Sequence, residues 1–225
     1  ISLIFLTVFV LSCFLINQTL AQKENLLPGI DDLAPLSVKD SFDLANLPRL
    51  VLPEWFKGPN APLLPYIVDN SINSYWRPVF AQVSMECGQA SGVGLGFTYA
   101  INRERDLPSN VEENQYPTHF VWNWANGGDG WYGVSYFHSF DVIRTLGTPN
   151  VPTYGGMSTG GGTRWMTGYE NYYSAMHNRL TDVYKIDLTT EEGILTAKHW
   201  LHNHLENAAT GGIANFYTNA TGGMP

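Results

Sequence analysis

Charged residues are scarce in this 225-residue chain: they make up 14% of it, about half the share of an ordinary globular domain. A disordered chain or a coiled coil needs many charges, so both classes are excluded. Basic residues are scarcer than acidic ones, with 12 Lys and Arg against 20 Asp and Glu. A chain with a net charge of −8 offers no basic face to phosphates, and we therefore expect no nucleic-acid partner.

Cysteine is also rare, with two residues, Cys13 and Cys87, which excludes a small domain held together by disulfides. Apolar residues, in contrast, make up 44% of the chain and aromatic residues 13%. This is enough material for a hydrophobic core and for a ligand cleft. The length allows one large domain or two small ones.

The chain begins with about 16 apolar residues, fewer than the roughly 20 that a membrane-spanning helix needs. Thr19–Ala21 then shows the small–x–small pattern that signal peptidase cleaves. We predict a signal peptide over residues 1–21 and a secreted, periplasmic or extracellular protein without stable membrane insertion after cleavage. A retained anchor is the alternative.

Composition divides the remaining chain near residue 64. Residues 22–63 are rich in proline and lack a long periodic apolar pattern, which predicts a propeptide-like segment or a linker. Residues 64–225 combine helical patterns with irregular loops and predict one α+β domain. Helices are expected at Cys87 to about Arg105, Val134 to Leu146, Trp165 to Leu180 and Glu191 to Glu206, and the start of a strand at Ile213 to Thr218.

Small residues recur every four positions along the first of these helices, at Gly88, Gly92, Gly96 and Ala100. Each glycine destabilises a helix by about 1 kcal/mol relative to alanine. We therefore predict that close packing of this helix against a neighbour offsets that cost. The stripe would let another backbone approach closely. An irregular glycine loop is the alternative.

Cys87 stands where this helix would begin, and Gln82 lies five residues earlier. The positive end of a helix dipole favours a thiolate and so lowers the pKa of a cysteine thiol. A glutamine amide beside the nucleophile, together with the nucleophile's own N–H group, can form an oxyanion hole. The pair predicts acyl transfer through a thioester. A structural, buried cysteine is the alternative.

Three segments around this pair resemble the mature N-terminus of the papain-like cysteine peptidases. That family has a Leu-Pro-x-x-x-Asp opening, a Pro-Val-x-x-Gln segment and a nucleophile in Cys-Trp-Ala-Phe-Ser. The matching segments here are Leu64–Asp69, Arg77–Gln82 and Cys87–Ser91. The resemblance implies that Cys87 is the nucleophile and Gln82 the oxyanion donor of a cysteine-type peptidase.

The resemblance implies more about substrate and fold. Asn126 to Gly128 looks like the family's Asn-Gly-Gly turn, so Gly127 and Gly128 would bind the substrate backbone. The fold would be the α+β papain-like one, with a helical left domain and the start of a β-rich right domain. No cofactor or metal is implied, the protein would be a monomer, and its partner would be a peptide or protein substrate.

The family's catalytic His and Asn find no match, and we expect them beyond residue 225, in a domain that is incomplete at its C-terminus. His199, His202 and His204 lie close together without an HExxH pattern, which favours a solvated polar face over a zinc site. The other histidines lie elsewhere in the chain.

Four departures from the family pattern leave a second interpretation open. The spacing from Gln82 to Cys87 is one residue short, Gly88 replaces the family Trp, Glu86 places a carboxylate beside the nucleophile, and the cysteine usual just upstream is missing. An alignment that puts Ala90 at the nucleophile position would make the protein an inactive relative that binds a peptide or glycan.

Overall fold

The computed structural model describes residues 38–83, 85–127, 133–156 and 164–215, together with the backbone of residues 4–6. Most of the predicted signal peptide, Cys13 and Gly128 therefore lie outside the described residues. No helix within these ranges is long and apolar enough to cross a membrane. The domain boundaries drawn at residues 21 and 63 remain predictions.

Helices dominate the described residues. They are Val38–Asn46 (α1), Cys87–Gln89 (α2), Thr98–Arg105 (α3), Thr118–Ala125 (α4), Tyr136–Leu146 (α5), Val151–Tyr154 (α6), Tyr169–Ala175 (α7) and Glu191–Asn203 (α8). A π-helical segment, Ala90–Phe97, joins α2 to α3, and we call the continuous run from Cys87 to Arg105 the central helix. Single 3₁₀ turns lie at Glu54–Phe56, Asn70–Ile72 and Glu112–Asn114.

The expected α+β fold with the start of a β-rich right domain is wrong for the described part of the chain. Its strands there are two segments of three residues, Ile4–Leu6 (β1) and Asp182–Tyr184 (β2), which pair in parallel with Ile4 opposite Asp182. A single further bridge joins Arg49 to Lys185. The buried side chains are carried mostly by helices, so the core forms without a large sheet.

The predicted strand near Ile213 shows why the sequence was misleading. Residues 211–215 contain no strand of three or more residues, and residues 216–218 of the predicted strand lie outside the described residues. The Gly212 amide donates to the Trp200 carbonyl at 2.8 Å, and side chains supply further contacts. Tyr99 Oη donates to the carbonyl of Gly211 at 2.9 Å, Trp200 Nε1 donates to that of Ile213 at 2.9 Å, and Ser91 Oγ donates to Asn215 Oδ1 at 2.8 Å. A segment with apolar residues lies here against helices.

Three of the four predicted helices are confirmed in position, and a fourth is shorter than predicted. The central helix ends at Arg105 as expected, and α5 ends at Gly147, whose φ of 76° suits glycine. Helix α8 begins after Thr190, whose Oγ1 accepts from the Gly193 amide at 3.0 Å. Helix α7 covers only part of the predicted 165–180 stretch.

The glycines of the stripe are buried. The stripe was predicted to let another backbone approach the helix, but at Gly92 the neighbour is a side chain. A Cβ atom on Gly92 would lie 3.1 Å from Tyr136 Cδ1, so the ring of Tyr136 on α5 rests directly on the central helix. Helix α4 packs against both α5 and the central helix. Its core side chains Phe120 and Val121 join Val93, Phe97 and Ile143 in the main hydrophobic cluster.

A second hydrophobic cluster joins the segment before residue 63 to α8. Leu52 and Phe56 are buried against Trp200, and Ile186 and Leu205 complete the cluster. Lys57 pairs with Glu192 of α8 at 2.9 Å. This part of the predicted linker is thus packed onto the rest of the chain.

Candidate functional site

Cys87 occupies the first position of the central helix. The carbonyl of the preceding residue, Glu86, accepts from the Ala90 amide at 2.7 Å and closes the first helical turn. Cys87 is partly exposed and its thiol is free of any disulfide. The helix therefore holds the thiol at an accessible end, where the dipole of a helix favours negative charge.

The structure brings the two predicted catalytic residues together. Gln82 Nε2 donates to Cys87 Sγ at 3.1 Å. Gln82 is itself exposed. When the sulfur attacks a carbonyl carbon, the oxygen of that carbonyl would lie close to the Gln82 amide. The amide could then donate a hydrogen bond to this oxygen.

An apolar groove of about 280 Å³ opens beside this pair. Its walls come from the segment before Gln82, from the start of the central helix and from α5. The residues that line it are Trp76, Val79, Phe80, Gln82, Cys87, Gly88, Ala90, Ser91, Leu95 and Tyr136. A ligand that reaches the thiol must therefore pass between aromatic and aliphatic side chains.

A buried arginine supports the outer wall of this groove. The Arg77 guanidinium lies 4.1 Å from the centre of the Phe80 ring and donates to Gln115 Oε1 at 3.0 Å. Burial lowers the pKa of Arg77 to about 10. This contact holds the Phe80 ring in place. The segment around Phe80 otherwise has few buried side chains.

A second cavity of about 360 Å³ lies next to the groove, since Trp76, Ser91 and Leu95 line both. Asp69 and Asn215 are polar residues in its wall. The Ser71 hydroxyl and amide donate to Asp69 Oδ1 at 2.6 and 2.9 Å, and these bonds lower the pKa of that carboxyl. The surroundings of the thiol thus include an apolar groove and a neighbouring cavity with a carboxylate.

Glu86, the residue expected to oppose a thiolate, turns its side chain away from the groove. It is fully buried, at 0% exposure, and does not line the cavity. The Val83 amide donates to its Oε1 atom at 3.5 Å. The carboxyl therefore belongs to the interior behind the turn from Gln82 to Cys87.

None of the histidines in the described ranges lines the groove beside Cys87. His119 is buried on α4 with Nδ1 2.8 Å from Tyr154 Oη, and His199 is buried against the ring of Phe56. His204 lies 3.3 Å from Glu206. Within the part of the chain that the structure describes, no group of three or more His, Cys, Asp or Glu side chains could hold a metal ion.

The predicted substrate-binding turn is described only in part. Gly127 has a φ of 68°, and a Cβ atom there would meet nothing within 4 Å. Its backbone lies at the end of α4, next to Trp124, which packs edge-on against Trp165 at 4.9 Å. Gly127 is not among the residues that line the groove, and Gly128 falls outside the described ranges.

Sequence reasoning missed the groove's aromatic walls. Trp76 and Phe80 flank the Pro78-Val79 segment, and the approach of Tyr136 to Gly92 builds the opposite side. The glycine stripe was the available signal, because a bare position on a helix predicts a close neighbour. The identity of that neighbour, 44 residues away in sequence, could not be read from the stripe.

Comparisons of the chain with family models, with curated proteins and with solved structures found no match.

Proposed function

We propose that this protein is an exported cysteine-type peptidase, which resembles the papain-like enzymes in the residues around its nucleophile. The observation that carries the proposal is the 3.1 Å contact from Gln82 Nε2 to Cys87 Sγ at the start of a buried helix. Glutamine and cysteine are the residue types that acyl transfer through a thioester needs.

In this mechanism Cys87 Sγ attacks the carbonyl carbon of a peptide bond. The C–S bond forms as the carbonyl π bond opens, and Gln82 Nε2 and the Cys87 N–H donate to the resulting oxyanion. The C–N bond then breaks, and the leaving amine takes the proton that the Cys87 thiol lost on attack. Water hydrolyses the thioester: its hydroxyl group goes to the acyl carbon to give the acid, and its remaining proton restores the thiol.

The groove favours a substrate with apolar side chains close to the scissile bond. Trp76, Phe80, Leu95 and Tyr136 surround the approach to Cys87. Burial of one large apolar side chain between such walls contributes roughly 1.5–3 kcal/mol to binding. A hydrophobic peptide is therefore the substrate class that this surface supports best.

A binding protein without catalysis is the second candidate. The apolar groove would hold a peptide whether or not Cys87 reacts, and Glu86 and Gly88 depart from the residues usual beside such a nucleophile. The two candidates share a ligand and differ in what happens to it.

One experiment separates them. The full chain and its Cys87→Ala variant are incubated with a mixture of hydrophobic peptides, and the products are identified by mass spectrometry. The peptidase proposal expects cleavage by the parent chain alone. Equal binding of the peptides by both proteins without any cleavage would contradict it and support the binding protein.

A further inference from the structure

We infer that Glu86 is a positioning residue, whose buried carboxyl group holds the backbone directly after Gln82 and so places the Gln82 amide on Cys87. This inference rests on the proposed function, because it assigns a role to Glu86 in the oxyanion site. From the sequence, the Glu86 carboxylate was expected to oppose formation of the Cys87 thiolate.

The contacts of Glu86 reach both Val83 and the first turn of the central helix. Its side-chain Oε1 accepts from the amide of Val83, the residue directly after Gln82. Its main-chain carbonyl accepts from Ala90 at 2.7 Å and closes the first turn of the helix that begins at Cys87. One residue thus ties the segment that carries the amide donor to the helix that carries the thiol.

Apolar burial contributes little to the position of Val83 and its neighbour Val79. Val79 and Val83 on the same segment are 92% and 59% exposed, so apolar burial does not fix the backbone there. Gln82 is exposed as well. With so little packing, the hydrogen bond from Val83 to Glu86 has a larger share in setting where the Gln82 side chain begins.

Burial of a carboxyl group is expensive, which argues that this one serves a purpose. Transfer of a polar group to an apolar interior without compensation costs roughly 1–3 kcal/mol in proteins. The Glu86 side chain bears this cost, since it is at 0% exposure.

The test compares Glu86→Gln, which keeps an acceptor in the same shape, with Glu86→Met, which keeps the volume and removes the acceptor. The first measurement is hydrogen exchange at the Val83 amide. We expect exchange to speed up about tenfold or more in Glu86→Met and to change less than threefold in Glu86→Gln, as for loss of one hydrogen bond of about 1.4 kcal/mol. This readout does not depend on whether Cys87 is a catalyst.

The second measurement is binding of a leucine-rich tripeptide aldehyde. Cys87 Sγ adds to the aldehyde carbon, and the thiol proton ends on the oxygen of the hemithioacetal, so the adduct depends on the donors around that oxygen. We expect Glu86→Met to weaken binding about tenfold, as Gln82→Ala does. The double variant should be no weaker than Gln82→Ala alone, because both act through one contact. The rate at which iodoacetamide alkylates Cys87 should change less than threefold in Glu86→Met.

Each outcome decides between distinct claims. Unchanged Val83 exchange in Glu86→Met, or additive losses in the double variant, would overturn the positioning role. A parent chain that binds the aldehyde no better than Cys87→Ala would instead overturn the proposed function. In that case faster Val83 exchange in Glu86→Met would still support the structural part of the inference, and unchanged exchange would remove it too.

Discussion

The side-chain amide of Gln82 lies within hydrogen-bonding distance of the thiol of Cys87, with 3.1 Å between Nε2 and Sγ. Gln82 lies five positions before Cys87, the first residue of the central helix. The contact places a neutral donor beside the one cysteine thiol of the described residues.

Replacement of Gln82 by Ala should reduce kcat/KM by about 10²–10³ and act mostly on kcat, since the donor is used as charge develops on the oxygen. Because Gln82 is exposed, the free energy of unfolding should change by less than about 0.5 kcal/mol. Steady-state kinetics on a hydrophobic peptide provide the measurement. Val83→Ala, at an exposed neighbour, is the matched control and should keep its activity.

Gly92→Ala should destabilise the protein by about 1 kcal/mol. The new Cβ would lie 3.1 Å from the ring of Tyr136, which costs more than the gain in helix propensity returns. Gly58→Ala is the matched control, because a Cβ there meets nothing within 4 Å, and its stability should be unchanged or slightly higher. Urea unfolding compares the two, and equal midpoints would show that the Tyr136 ring does not rest on the helix.

Leu52→Ala should cost about 2–5 kcal/mol, because this side chain is 2% exposed in the cluster with Trp200. Val51→Ala, next to it and 61% exposed, should cost less than about 0.5 kcal/mol. Both values come from chemical denaturation of the full chain. Similar small losses for both variants would mean that residues 50–56 are not part of the folded core.

Acid should destabilise the protein through His204. Burial, and then the charge of Arg103, lower the pKa of this ring to about 4, so the folded state favours the neutral form. Its contribution to stability is complete above about pH 6.5 and is lost as the pH falls from there towards 4. His204→Asn keeps a residue that tolerates the left-handed backbone at φ 58° and should flatten the pH dependence of unfolding over that range.

The exposed His138 gives the matched control for this measurement. His138→Asn should leave the pH dependence as it is in the parent chain. His199 also has a lowered pKa through burial, so His204→Asn should remove only part of the slope. A slope that His138→Asn and His204→Asn reduce equally would contradict the assignment.

The sequence predicted the elements whose signals are local. Helix α5 was predicted with Gly147 as its C-cap residue, and the structure places it there. Helix α8 was predicted from the capping-box spacing of Thr189 and Glu192, and the observed N-cap is the next residue, Thr190. The meeting of Gln82 with Cys87 followed from the same local pattern, because five residues separate them.

The features that sequence reasoning missed depend on distant contacts. Helix α4 was not predicted, because Thr118–Ala125 combines aromatic residues with asparagine and gains its stability from packing on α5 and on the central helix. The fold class was wrong for a similar reason. The residues near Ile213 have the apolar pattern of a strand, but in the described part of this segment Trp200 and Tyr99 donate to its carbonyls from helices.

The rate at which Cys87 reacts with a hydrophobic peptidyl chloromethyl ketone tests the central claim most directly. It is measured at about pH 6, where free cysteine is almost wholly protonated, and compared with free cysteine and with Cys87→Ala. The account expects the full chain to react at least about a hundredfold faster than free cysteine, with labelling confined to Cys87. A rate equal to that of free cysteine would contradict an activated nucleophile at this site.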